Sequence, residues 1–185
     1  MLATKSVQHL LDIALEALCS GGEWRAVLDQ LPVPVYTTDA DGAVTYWNQS
    51  CADFVGREPR LGEERWCVTW HLYTTSGDPL PHDKCPMARA LSEKREIRDE
   101  IIIAERPDGH RVACRPYPTP YFDADGNLKG AVNLIIDVTH EQAGALADQA
   151  ARCKRLADST NDQRASIILA QMAKEYAASA AALRD

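Results

Sequence analysis

Basic runs are missing from this 185-residue sequence: its 20 Lys and Arg are dispersed and outnumbered by 27 Asp and Glu, for a net charge of −7. Without a cationic cluster, phosphate contacts and counterion release have nothing to act through, so nucleic acid and anionic membrane surfaces are excluded as default partners. No apolar run approaches the roughly 18 residues that cross a bilayer. The first segment interrupts its apolar positions with His9, Asp12 and Glu16 and carries Lys5 as its one basic residue, which fits an amphipathic helix better than a signal-peptide core. CxxC pairs are absent too. Cys19, Cys51, Cys67, Cys85, Cys114 and Cys153 are scattered, which is no dense disulfide framework. These absences predict a cytoplasmic protein without membrane insertion. What is present is a globular composition, 45% hydrophobic and 25% charged, long enough for one principal domain and a small appendage.

Periodicity divides the chain. Val7, Leu10, Leu11, Ala14, Leu15 and Leu18 recur at three- and four-residue spacing, which predicts a helix stopped by Gly21-Gly22. A short helix follows over 24–31. The period then changes to β-branched and aromatic runs at 33–38 and 44–47, joined by Asp39-Ala40-Asp41-Gly42, whose Asp-Gly pair supplies positive φ for a hairpin. Residues 97–105, 111–119 and 129–138 are three further strands with turn chemistry at Asp108-Gly109 and Asp125-Gly126. Between the two sets, 50–55 and 85–93 read as helices. Five strands in a two-plus-three order around a helical insert predict an α+β fold, an antiparallel sheet with helices on one face. The tail is helical, with stripes at Leu146, Ala150, Cys153, Ala157 and at Leu169, Met172, Ala173, Tyr176, Ala180, Leu183. Thr160-x-x-Gln163 between them has capping-box spacing, so a helical hairpin is expected.

Several stretches resemble the PAS family. Leu31-Pro32-Val33-Pro34-Val35-Tyr36-Thr37-Thr38-Asp39 with Asp41-Gly42 is similar to the family's first strand and turn, and Val44-Thr45-Tyr46-Trp47-Asn48 to its second strand and Asn. Gly77-x-Pro79-Leu80-Pro81 and Cys85-Pro86-Met87-Ala88 resemble the loop and helix entry of bacterial PAS domains. Val132-Asn133-Leu134-Ile135-Ile136-Asp137-Val138-Thr139 resembles the last strand with its Asp-x-Thr ending. The resemblance implies a five-stranded PAS sheet, with a flanking helix at 1–22, the PAS domain at 23–142 and a helical hairpin at 143–185. It further implies a stand-alone bacterial signalling protein with no enzymatic activity, whose output is binding to a histidine kinase or another protein of a two-component or cell-cycle phosphorelay. The alternative it carries is a sensor holding haem, a metal ion or a small metabolite.

Candidate site residues follow from side-chain chemistry. Tyr36, Trp47, Asn48, Trp70, His71 and Tyr117 join apolar bodies to polar tips on segments that resemble the family's pocket walls. Ordinary core packing explains them equally well. Cys67, His71, His82 and Cys85 carry zinc-type donors in two close pairs, and the same groups suit haem iron, although two Phe are few for a haem cavity. The preferred expectation is no cofactor. Flavin photochemistry is disfavoured because Gly56-Arg57-Glu58-Pro59-Arg60-Leu61 lacks the reactive Cys. Neither Asp-x-Asp-Gly stretch has the Glu that closes a calcium loop, so both read as hairpin turns. The stripe Val7, Leu10, Leu11, Ala14, Leu15 and Leu18 is the expected contact of a homodimer, with packing on its own sheet as the competing use.

Overall fold

The computed structural model describes residues 4–183, with side chains from residue 7. Helix α1 (Thr4–Ser20) turns Val7, Leu11, Ala14 and Leu18 to one side and ends where Gly21 takes φ 69°. Helix α2 (Trp24–Asp29) is shorter than the sequence suggests and leads through Pro32 and Pro34 into β1 (Val35–Asp39). Strand β2 (Val44–Trp47) pairs antiparallel with β1, with Tyr36 opposite Trp47. Of the turn's Asp-Gly pair only Gly42 has positive φ, 89°, because a bulge at Thr38 leaves room for a single left-handed residue. Asp39 Oδ1 accepts from the amides of Asp41 and Ala43, and Asp123 Oδ1 does the same for Asp125 and Asn127. Both Asp-x-Asp-Gly stretches therefore close on themselves as turns.

Helix α3 (Gln49–Val55), β3 (His71–Tyr73), a 3₁₀ turn (His82–Lys84) and α4 (Pro86–Glu93) come next, followed by β4 (Ile102–Glu105), β5 (Arg111–Phe122) and β6 (Leu128–Asp137). The antiparallel sheet has six strands, ordered β2-β1-β6-β5-β4-β3. The added strand is β3. It pairs with β4 through His71 to Glu105, Leu72 to Ala104 and Tyr73 to Ile103, and three residues are too few to show an alternation. The strand expected over 97–105 shortens because Asp99 adopts φ 61° and the Arg98 guanidinium folds back onto the carbonyls of Ile97 and Pro118.

Strand β5 survives Pro116, Pro118 and Pro120 because alternate residues address the same neighbour. The Tyr117 amide donates to Asn133 Oδ1 on β6, whereas the Pro118 carbonyl faces the other way and accepts from Ile97. Gly130 is required where β6 crosses β1, since a Cβ there would strike the Thr38 carbonyl.

Strand alternation gives the sheet two differently used faces. Val35, Tyr46, Tyr117, Val132 and Leu134 join Leu28 and the α1 stripe in one apolar cluster. Tyr36 and Asn133, one residue out of phase with Val35 and Leu134, occupy the opposite face.

The chain divides into two compact units, 1–109 with 114–136, and 110–113 with 137–185. In the second unit, Thr139 Oγ1 binds the Ala113 amide and carbonyl at the start of α5 (Thr139–Ser159). Helix α6 (Gln163–Ala182) packs along α5, and Leu146, Cys153, Ala157, Ala180 and Leu183 are buried. The expected capping box does not form. Asp162 is the N-cap, accepting from Arg164 and Ala165, so Gln163 is already the first helical residue.

Candidate functional site

The inner face is organised around Tyr36, whose hydroxyl donates to the Trp66 carbonyl at 2.9 Å and accepts from Asn133 Nδ2 at 3.2 Å. Burial pushes this phenol well above the usual tyrosine range, and nearby Cys67 and Cys85 act in the same direction. Asn48 caps α3. Its Oδ1 accepts from the amides of Val35 and Cys51, and its Nδ2 donates to the carbonyls of Leu28 and Val33. One buried amide thus ties the α2–β1 connection to the start of α3.

Trp66 has φ 64°, a region that costs a bulky residue about 1–3 kcal/mol and persists only where its surroundings enforce it. Its amide donates to the Gly42 carbonyl at 2.6 Å, its ring fills the space a Cβ at Gly42 would need, and the Arg65 guanidinium lies 4.6 Å from the ring centre. The turned backbone leaves the Trp66 carbonyl facing inward, where it accepts from Tyr36 and, at 3.8 Å, from the Cys85 thiol.

Beside Trp66, Cys67 Sγ lies 3.0 Å from Thr69 Oγ1, and the Cys85 thiol, 3.8 Å from the Trp66 carbonyl, is its neighbour. The two thiols are driven apart in acidity: the neighbouring Cys85, with His82 and Thr69, lowers Cys67, whereas the neighbouring Cys67 together with burial raises Cys85. Cys51 is raised by burial. No disulfide is formed among the described residues.

Cys67 is at the wall of a cleft of about 760 Å³ that Arg57, Glu64, Trp66, Trp70 and His82 also line. Arg57 is fixed there by Glu64 at 2.5 Å and by the Val68 carbonyl at 2.7 Å. Such an arrangement offers a polar, aromatic-edged recess with one acidic thiol at its wall.

The sequence-derived pocket set is not one pocket. Tyr36 and Asn48 are buried structural hubs, Trp47 is half-buried beside Tyr36, and Tyr117 belongs to the α1 cluster on the other face. Trp70 and His71 are exposed, stack edge to face at 5.5 Å, and border a second groove of about 310 Å³. The metal set comes together only in part. Cys67 and Cys85 are neighbours across the Trp66 carbonyl and His82 shares a cleft wall with Cys67, but His71 borders the outer groove, and no group of three or more donors among the described residues could hold an ion. The α1 stripe is largely consumed within the chain: Val7, Leu11, Ala14 and Leu18 are core, and only Leu10 and Leu15 keep partial exposure for a second copy.

Asn133, Arg57, Glu64, Trp66 and Thr69 were not among the sequence-derived candidates. A lone Asn inside the apolar run 131–136 is a readable sign of a buried polar partner. The left-handed Trp66 has no such sign.

A family model described as the PAS fold matches residues 28–143. Among solved structures, an RNA-binding Light-Oxygen-Voltage receptor is similar at 22% identity and TM-score 0.50, covering 66% of this chain and 34% of that one, so the match spans about a third of the receptor. A Rhodobacter sphaeroides LOV protein is 14% identical with TM-score 0.46 and 96% coverage of each chain. The PAS domain of the fruit-fly ELK potassium channel is 17% identical with TM-score 0.49, covering 62% of this chain and 93% of that domain. None of the curated proteins matches. Since the family model covers more than half of the chain, the protein belongs to the PAS family of sensory and regulatory signalling domains.

Proposed function

We propose that this PAS protein is a non-catalytic, cytoplasmic regulator that acts by binding a histidine kinase or another protein of a two-component or cell-cycle phosphorelay. The observation that carries the reading is the inner face itself: Tyr36 is buried there and is hydrogen-bonded on both sides by the protein's own groups. The Tyr36 hydroxyl is thus satisfied within the protein, and output passes through the surface. The terminal hairpin supplies that surface, since Ile167 and Ile168 are 64% and 60% exposed. Homodimerisation belongs to the same proposal, with Leu10 and Leu15 as its remaining apolar contacts on α1.

The test is autophosphorylation of purified histidine kinases from the same cell, with and without the protein. At least one kinase should change rate, and Ile167→Glu with Ile168→Glu should abolish the change while leaving circular dichroism intact. No responsive kinase, or an unchanged effect of the variant, overturns the reading. A second reading, a small-metabolite sensor, is favoured by the cleft beside Trp66 and Trp70. A visible absorption scan, metal analysis and a thermal-shift screen distinguish it: a stoichiometric chromophore, metal or stabilising metabolite selects the sensor.

A further inference from the structure

We propose that Cys67 and Cys85 form a reversible thiol–disulfide site that reacts with hydroperoxides entering the cleft beside Trp66. Three geometric facts carry it. Cys85 Sγ lies 3.8 Å from the carbonyl of Trp66, the residue that leads directly into Cys67, so the two thiols are neighbours although they lie 18 positions apart in the chain and come from different elements, one following Trp66 and the other capping α4. Cys67 is part of the cleft wall, whereas Cys85 is not among its lining residues. Exposure agrees, at 6% for Cys67 and 1% for Cys85, so an oxidant of small size meets Cys67 first and finds Cys85 behind it. Thr69 Oγ1 at 3.0 Å and His82 on the same wall give Cys67 polar support, and both act to favour its thiolate. The order of roles follows, with Cys67 attacking and Cys85 resolving.

The chemistry balances in two steps. The Cys67 thiolate attacks the outer oxygen of the hydroperoxide ROOH, forming an S–O bond as the O–O bond breaks. The sulfur loses two electrons, the peroxide gains them, and the departing alkoxide takes a proton to leave as ROH. Cys85 then attacks the sulfenic sulfur, forming the S–S bond as the S–O bond breaks, and hydroxide leaves as water with the proton Cys85 surrenders. A small thiol reductant restores both thiols by exchange. The structural consequence lies at one carbonyl. Oxidation removes the Cys85 proton that points at the Trp66 oxygen, and that oxygen also holds the Tyr36 hydroxyl, so the change reaches the partner of Asn133 between β1 and β6.

The inference goes beyond the interaction reading, because the sulfur chemistry is measured without any partner. The full chain is treated with a few equivalents of hydrogen peroxide, quenched by alkylation and mapped by mass spectrometry. The expected product is a Cys67–Cys85 linked peptide, lighter by about 2 Da for the two hydrogens lost and reversed by dithiothreitol. Cys85→Ser should stop at a dimedone-reactive sulfenic acid on Cys67, and Cys67→Ser should consume peroxide at least about tenfold more slowly. Exposed Cys19 is the internal control. Oxidation appearing first at Cys19, or any pairing other than Cys67 with Cys85, overturns the proposal, as does an undiminished rate in Cys67→Ser. If a variant fails to fold, the wild-type peptide map decides alone.

Discussion

On the α1 side of the sheet, Val7, Leu11, Ala14 and Leu18 meet Val35, Val132 and Leu134 in a cluster that is almost wholly apolar among the described residues. On the opposite side, the same strands present Tyr36, Asn133 and Thr38, and the segments facing them contribute Asn48, Cys67 and Cys85. The difference is one of tolerance. An apolar contact surface is non-directional and roughly proportional to area, so it fixes α1 without specifying a unique arrangement of individual atoms. A buried polar network is directional, and each member depends on the others for its hydrogen bonds. The first face is suited to holding the fold, the second to registering a chemical change at one point and passing it to two strands.

The largest expected effect comes from breaking the apolar face. Leu11 is fully buried in the centre of the α1 stripe. Leu11→Ala should lower the unfolding free energy by about 2–5 kcal/mol, the transfer loss plus the residual cavity. Urea denaturation with an unchanged slope checks it, and a loss below 1 kcal/mol, roughly the lower limit for a simple methylene deletion, would mean that α1 is not seated on the sheet.

Next in size is the polar face. Tyr36→Phe keeps the ring and removes only the hydroxyl, leaving the Trp66 carbonyl and Asn133 Nδ2 short of a partner. The cost should be about 1–3 kcal/mol, read by the same denaturation. Asn48→Ala should fall in the same range or above it, because the Val35 amide loses its acceptor inside the protein.

How far this comparison was readable from the chain depends on which physical signal is involved. The α1 stripe repeats every three to four residues, and period alone identified its buried side. Strand β2 was legible from its β-branched and aromatic residues, and β6 from a continuous apolar run after a turn signal. The inner face was not, because its geometry depends on Trp66 turning left-handed and on three-residue β3 pairing with distant Glu105, neither of which leaves a local pattern. Cys67 and Cys85 were grouped by ligand chemistry as a metal set with His71 and His82; the two thiols do lie near one Trp66 carbonyl, whereas His71 is exposed and borders the outer groove. Asn48 was selected as a pocket residue, whereas its position before α3 already carried the N-cap explanation.

Alkaline solution should act on the buried phenols of both faces. Tyr36 keeps its proton in the folded protein well above the pH at which a free tyrosine loses it. Above about pH 10 the unfolded chain therefore binds fewer protons than the folded one, and stability falls as pH rises, by about 1.4 kcal/mol per pH unit for each such group. Tyr46, raised by burial and by its bond to Asp29, contributes in the same direction. Denaturation at several pH values between about 9 and 11, bracketing the ordinary tyrosine pKa, should show a shallower decline in Tyr36→Phe than in the wild type. Equal slopes would mean that the phenol ionises freely and that the inner face admits water.

The smallest effect is a difference of differences, and it tests the division between the faces most directly. Leu11 and Tyr36 share no hydrogen bond and belong to separate packing groups on either side of the sheet. Combining Leu11→Ala with Tyr36→Phe should give losses that add to within about 0.5 kcal/mol, as independent sites do. Tyr36→Phe combined with Asn133→Ala should not add, since each removes the other's partner, and the coupling should lie in the range of about 0.5–3 kcal/mol found for residues in contact. A cycle in which Leu11 couples to Tyr36 as strongly as Asn133 does would show the sheet transmitting strain between its faces, and the apolar side would then be part of the responsive network instead of its support.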